Sequence, residues 1–215
     1  FRGTRYEWTE MLIEAGNDYL RNAPLHCDIP FIDVPRGKWY TEAAVFCDTN
    51  GYIRGTASYR FMPQTAVTRG MFVSVLSRID GAELEKCGST SFADLKAGDS
   101  YADAAEWAYR NGYTAGTGIR DGKPVFSPNS KLTREQLVQF LYNYTLKKGG
   151  DVSASADLSG YADLGSLSGW AKDSASWAVA SGIISGTGDG VLSPKGFCTR
   201  GQLAVIVMKY VTERK

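Results

Sequence analysis

The chain is poor in the residues that most chemistry requires. It holds one histidine, His26, and its 24 basic residues stand against 23 acidic ones, leaving a net charge of +1 over 215 residues. A near-neutral balance argues against a nucleic-acid binder, which carries a clear basic excess. One histidine supplies neither a multi-histidine metal site nor much of a hydrolase triad, so no catalytic role and no cofactor is expected. The four cysteines, Cys27, Cys47, Cys87 and Cys198, are too few for a disulfide scaffold and lack the paired spacing of a zinc site. Whether Cys27 and Cys87 pair is open at this level. The longest strongly apolar run, residues 203–208, falls far short of the ~18 residues of a spanning helix. No signal-peptide pattern is visible at Phe1. What is present, 43% hydrophobic, 22% charged and 12% aromatic residues, is a globular composition.

Three segments can be written under one another. They open Phe31-Ile32-Asp33-Val34, Phe92-Ala93-Asp94-Leu95 and Tyr161-Ala162-Asp163-Leu164. An aromatic follows in each (Trp39, Tyr101, Trp170), then another (Phe46, Trp107, Trp177). Five residues after the second comes a glycine (Gly51, Gly112, Gly182), and four further on a Gly-Thr pair at Gly55, Gly116 and Gly186. A proline follows, Pro63, Pro128 and Pro194, and five residues later always a Thr-Arg pair: Thr68-Arg69, Thr133-Arg134 and Thr199-Arg200. From the first glycine onward only the glycine-to-proline interval varies, being four residues longer in the second copy. That isolates an insertion around 120–123, where a surface loop absorbs length.

Each copy reads as helix, loop, helix. The first helix ends at its glycine, which suits the left-handed conformation that closes helices. The second has an apolar stripe at i, i+3, i+4 and i+7: Phe72, Val75, Leu76, Ile79; Leu137, Phe140, Leu141, Tyr144; Leu203, Ile206, Val207, Tyr210. A short helix pair cannot bury such a face alone. The expected fold is therefore mostly α, three helix-loop-helix repeats sharing one core with pseudo-threefold symmetry. The expected organisation is a lead-in helix and linker at 1–30, then repeats at 31–80, 92–146 and 161–211. The lead-in has capping-box spacing at Thr4 and Glu7 and an apolar face of Trp8, Met11, Leu12, Ala15 and Tyr19, with Pro24 beyond it.

The Thr-Arg pair has two readings. In the structural one, Thr caps the second helix and Arg pairs with Asp33, Asp94 or Asp163. In the functional one, unpaired N–H groups at the helix start and the guanidinium fork together receive a small carboxylate or phosphate. Trp39, Tyr101 and Trp170 then offer partly exposed faces to a sugar ring, and Gly55, Gly116 and Gly186 let a ligand approach the backbone.

On these motifs the chain resembles the S-layer homology (SLH) family over residues 31–211, in three copies. The resemblance implies a three-pronged helical bundle that binds bacterial cell-wall polysaccharide, often bearing pyruvate ketals, and holds an exported protein on the cell surface without a membrane span. It implies ligand-binding roles for Arg69, Arg134 and Arg200, with Asp33, Asp94, Asp163, Trp39, Tyr101, Trp170, Gly55, Gly116 and Gly186 around them. In the family Thr-Arg continues Ala-Glu; here it continues Gly70-Met71, Glu135-Gln136 and Gly201-Gln202. The alternative is a structural module of a surface layer or appendage, packing on other surface-protein domains or on itself with vestigial grooves.

Overall fold

The computed structural model describes residues 3–11 and 28–213. Its helices begin and end at the residues that punctuate the sequence. They are α1 (Arg5–Thr9), α2 (Thr41–Thr49), α3 (Arg69–Asp80), α4 (Ala102–Arg110), α5 (Arg134–Lys147), α6 (Lys172–Ala180) and α7 (Arg200–Thr212). A hairpin, β1 (Gly118–Arg120) with β2 (Lys123–Val125), precedes α5, and two short 3₁₀ turns lead into α6.

The first helix of each copy, α2, α4 and α6, runs nine residues. Each is followed within two residues by its glycine in the left-handed region, at φ 73°, 72° and 66°. The second helices start at the three threonines. Their hydroxyls accept the backbone N–H of Met71, Gln136 and Gln202. Gln136 and Gln202 return the bond to the cap residue's own N–H; Met71 has no group to do so. The insertion in the second copy is the hairpin tip, with Asp121 and Gly122 at φ 52° and 74°, as a two-residue turn matching strand twist requires.

The apolar stripes face inward: Phe72, Leu76, Leu137, Leu141, Leu203 and Val207 are all buried. The helices pair from copy to copy. α3 packs on α4 and α5 on α6. α7 lies against α2, where the Cys47 thiol donates to Ala204 O at 3.5 Å. The second helix of each copy thus meets the first helix of the next, and the last meets the first.

The chain divides into two compact units, Phe1–Thr65 with Thr199–Met208, and Ala66–Cys198 with Lys209–Lys215. Within the second, the residues just before the three Thr-Arg pairs form a closed cycle. Val67 N–H donates to Cys198 O (2.8 Å), Cys198 N–H to Leu132 O (3.0 Å) and Leu132 N–H to Val67 O (2.8 Å). All three side chains are fully buried, so Cys198 serves there as a small apolar residue.

In the first unit, α1 carries the capping box read from Thr4 and Glu7. Leu12, Ala15, Tyr19, Pro24, His26 and Cys27 lie outside the described residues. Cys87 is a free thiol whose backbone N–H donates to Asp103. No helix among the described residues is long and apolar enough to cross a membrane.

Candidate anion-binding groove

Three orphan N–H groups at each helix start would make an anion site, but in this chain they are taken. Arg69 and Gly70 N–H donate to Ser130 O and Pro128 O. Arg134 and Glu135 N–H donate to Gly196 O and Pro194 O, and Arg200 and Gly201 N–H to Thr65 O and Pro63 O. The third N–H goes to the cap hydroxyl. The expectation of open helix termini therefore fails, because the proline loop of the next copy supplies the carbonyls.

The carboxylates are also occupied, though not by arginine. Asp33 accepts from Phe61 and Met62 N–H, both at 2.8 Å. Asp94 accepts from Phe126 and Ser127, and Asp163 from Leu192 and Ser193, at 2.7–2.8 Å. Each staple holds a non-glycine residue in the left-handed region: Met62, Ser127 and Ser193 have φ 57°, 59° and 56°. No ion pair joins these aspartates to the arginines among the described residues, so the salt-bridge reading of the Thr-Arg pair is not realised. The aspartates act on them only through their field.

The guanidinium groups instead reach carbonyls. Arg69 Nε donates to Phe126 O (2.8 Å), Arg134 Nε to Leu192 O (3.0 Å) and Arg200 Nε to Phe61 O (2.7 Å). Arg134 Nη2 then donates to Ser185 O (2.8 Å) and Arg200 Nη2 to Arg54 O (2.9 Å), the residues just before Gly186 and Gly55. The equivalent acceptor for Arg69 is Ala115 O, and that bond is absent. Arg69 Nη2 has no partner among the described residues, although the side chain is only 4% exposed.

A local backbone difference explains the break. Gly116 has φ +92°, whereas Gly55 and Gly186 lie outside the positive-φ region. The Thr114 hydroxyl accepts Gly116 N–H at 3.1 Å; the other copies have Ile53 and Ile184 in its place. The turned loop takes its carbonyl off the guanidinium. Burial, partly opposed by the field of Asp94, pushes the Arg69 pKa down to about 10. Its guanidinium lies between the rings of Phe126 and Phe140, 5.1 Å from each centroid. A buried cation with a donor unmet is favoured by any anion that can reach it.

Arg69 borders a groove of about 360 Å³ lined also by Thr114, Gly116, Thr117, Gln136, Gln139, Asn143 and Trp170. Of the residues singled out from sequence, the structure brings Arg69, Gly116 and Trp170 together here. Trp170 is 56% exposed and offers its face. Trp39, likewise exposed, borders a separate groove of about 820 Å³ with Arg36, Phe46, Val205 and Met208. Gly55 and Gly186 have a packing reason: a Cβ would press on the Phe31 ring at the first and on Val191 O at the second.

Tyr101 is not the counterpart of the two tryptophans. It directly precedes α4, as Tyr40 precedes α2 and Ala171 precedes α6, so Ser100 holds the Trp39 and Trp170 position. Its ring lies on Gly70, where a Cβ would overlap it; at Gly201 a Cβ would instead come within 3.2 Å of Pro63 O and 3.4 Å of the Tyr40 Cβ. Opposite Ala171 there is room for a side chain, and Glu135 occupies it. Its carboxylate accepts from Ser168 N–H and hydroxyl (3.1 Å each) and pairs with Lys195. At Gly70 and Glu135 the departure from Ala after Thr-Arg thus follows the size of the facing residue.

Thr114, Gln139 and Asn143 were missed by motif reading. For Thr114 the available signal was polarity where the other copies have Ile53 and Ile184; Gln139 stands against Ser74 and Val205 and Asn143 against Arg78 and Lys209, positions with no consistent contrast in polarity.

Helix pairs linked from copy to copy, with a cationic groove beside an exposed tryptophan, define a tandem-repeat module. Residues 91–138 and 160–204 match the S-layer homology domain, and these two segments of the chain belong to that family. The first copy shares their aspartate staple, helix-ending glycine and Thr-Arg start. The chain is 29% identical over 202 residues to an exoglucanase of Acetivibrio thermocellus, covering 89% of this chain and 17% of that protein. It is 30% identical over 164 residues to the surface-layer 125 kDa protein of Lysinibacillus sphaericus, covering 75% and 13%. It is 28% identical over 182 residues to an S-layer protein of Bacillus anthracis, covering 83% and 21%. The chain therefore spans about a fifth or less of the length of these relatives.

Proposed function

We propose that this chain is a non-catalytic anchoring module that binds an anionic, pyruvate-ketal-bearing bacterial wall polysaccharide and holds an attached protein at the cell surface. The three repeats form a three-pronged bundle, a reading supported by the closed cycle through Val67, Leu132 and Cys198 and by the copy-to-copy helix pairing. Relatives that include surface-layer proteins and a polysaccharide hydrolase share this segment as a minor part of their length, as a common attachment device would be. The observation that carries the reading is the unpartnered Arg69 Nη2 at the wall of a groove that also holds Gly116 and Trp170. A ketal carboxylate meets the guanidinium while the sugar ring stacks on the indole. One such contact is weak, and firm attachment comes from repetition along the polymer.

The test is co-sedimentation with purified wall polysaccharide before and after removal of the ketal acid. Wild-type protein is expected to be retained only by the intact polymer, and Arg69→Ala to be released from it. Equal retention by the stripped polymer removes the ketal from the proposal, and no retention at all removes anchoring. The internal bonding of Arg134 and Arg200 favours a second reading for the segments they hold, as scaffold in a surface lattice. A clean monomer in sedimentation velocity at high concentration counts against that lattice.

A further inference from the structure

The Arg69 groove holds a second unmet polar atom. On α5, Gln136, Gln139 and Asn143 border it at positions i, i+3 and i+7. Asn143 Nδ2 donates to the main-chain Tyr113 O at 3.4 Å, which sets the orientation of that amide. Its Oδ1 therefore faces Gln139, whose Nε2 donates to it at 2.8 Å. The amide order is thus dictated from the carbonyl end, and Gln139 Oε1 is left without a donor among the described residues while shielded from water.

A buried acceptor without a partner and a buried donor without a partner border one groove. Nothing comparable is drawn from the sequence elsewhere: the positions of Gln139 and Asn143 are held by Ser74 and Arg78 in the first copy and by Val205 and Lys209 in the third. Ser74 is already used, donating its hydroxyl to Gly70 O. Thr114, the amide pair and the unpaired guanidinium coincide at a single site.

We propose that Gln139 is a specificity-determining residue of this groove: its amide oxygen takes a hydroxyl or amide N–H of the sugar whose acid substituent meets Arg69. The proposal rests on the anchoring reading above. An amide oxygen suits the task because it accepts a hydrogen bond without the charge that would repel the acid. The ligand class is then narrower than any polyanion. It is a saccharide carrying a carboxylate and, on the same residue, a hydrogen-bond donor, and a simple carboxylate or phosphate satisfies only half of the site.

Titration of purified wall polysaccharide onto wild-type, Gln139→Leu, Gln139→Glu and Arg69→Ala protein, each with its melting temperature, tests this. Gln139→Leu is expected to weaken binding roughly tenfold. Its melting temperature holds or rises, since the unmet oxygen is gone, and its residual binding still depends on the ketal acid. Gln139→Glu keeps the shape, adds a negative charge beside the acid, and is expected to bind more weakly still, with partial recovery at high salt. Either Gln139 variant at wild-type affinity, with Arg69→Ala released, overturns the specificity role and leaves the anchoring reading standing. Wild-type affinity in Arg69→Ala overturns both. A melting temperature that falls in step with affinity in Gln139→Leu overturns the role as well, because the residue then serves only to link Tyr113, Asn143 and α5.

Discussion

Arg69, Arg134 and Arg200 open the same helical turn in three copies, and burial lowers the pKa of all three below the usual guanidinium value. What separates them is the destination of Nη2. Arg134 spends it on Ser185 O and Nε on Leu192 O, so truncation strips a buried segment of two charge-assisted bonds and leaves two carbonyls unmet. Arg134→Ala is expected to cost about 2–4 kcal/mol in urea unfolding. Arg69→Ala gives up one carbonyl bond and also relieves a desolvated charge whose second nitrogen has no partner, so its cost is expected to be less than half of that. The ordering is the diagnostic: a side chain that is cheap to remove from the fold yet needed for polymer retention is held for its ligand. If Arg69→Ala is the more destabilising of the two, Arg69 is the structural member of the set.

At the scale of the element, the glycine loop decides which groove is open. Thr114 fixes the loop by accepting Gly116 N–H, and Ile53 and Ile184 leave the other two loops without that bond. Thr114→Val keeps the volume and removes the hydroxyl. The loop is expected to adopt the geometry of its counterparts, bring Ala115 O onto Arg69 Nη2, raise the melting temperature by a few degrees and release the polymer. Loss of stability with binding intact would show that the loop geometry has another cause. Helix boundaries were legible beforehand because the signals for them are local: glycine at the end of α2, α4 and α6, threonine three residues before an N–H at the start of α3, α5 and α7. The apolar stripes were legible for the same reason. The groove was not, since the turn at Gly116 is a matter of peptide orientation and leaves no periodicity. The one-residue displacement of Tyr101 was hidden too, because an aromatic stands in both registers and only the start of α4 separates them. The helix starts misled in another way: their N–H groups are satisfied by carbonyls of the following copy, and such partners exist only once the chain has folded.

At the scale of the molecule, both compact units are assembled from distant stretches of chain, and α7 contributes to each. In the first it supplies Arg200, bonded to Phe61 O and Arg54 O, and Ala204, whose carbonyl receives the Cys47 thiol. In the second it supplies Tyr210, whose hydroxyl shares a 2.9 Å bond with Thr145 and whose ring meets Tyr144 at 6.3 Å, and Lys209, which caps Gly182 O. A chain that ends after Cys198 keeps the cycle with Val67 and Leu132 and every residue lining the Arg69 groove. It loses the helix on which α2 packs and the apolar face of Leu203, Ile206, Val207 and Tyr210, each of which buries on the order of 1.5–3 kcal/mol of transfer free energy. That sum is comparable to the whole stability of a domain of this size. Truncation is therefore expected to abolish the cooperative thermal transition, raise binding of a hydrophobic dye and lose polymer retention, although no groove residue is removed. A truncated chain that melts with the midpoint and enthalpy of the full one would mean that the repeats are stable singly. The copy-to-copy pairing of helices would then be a consequence of the fold and not its cause.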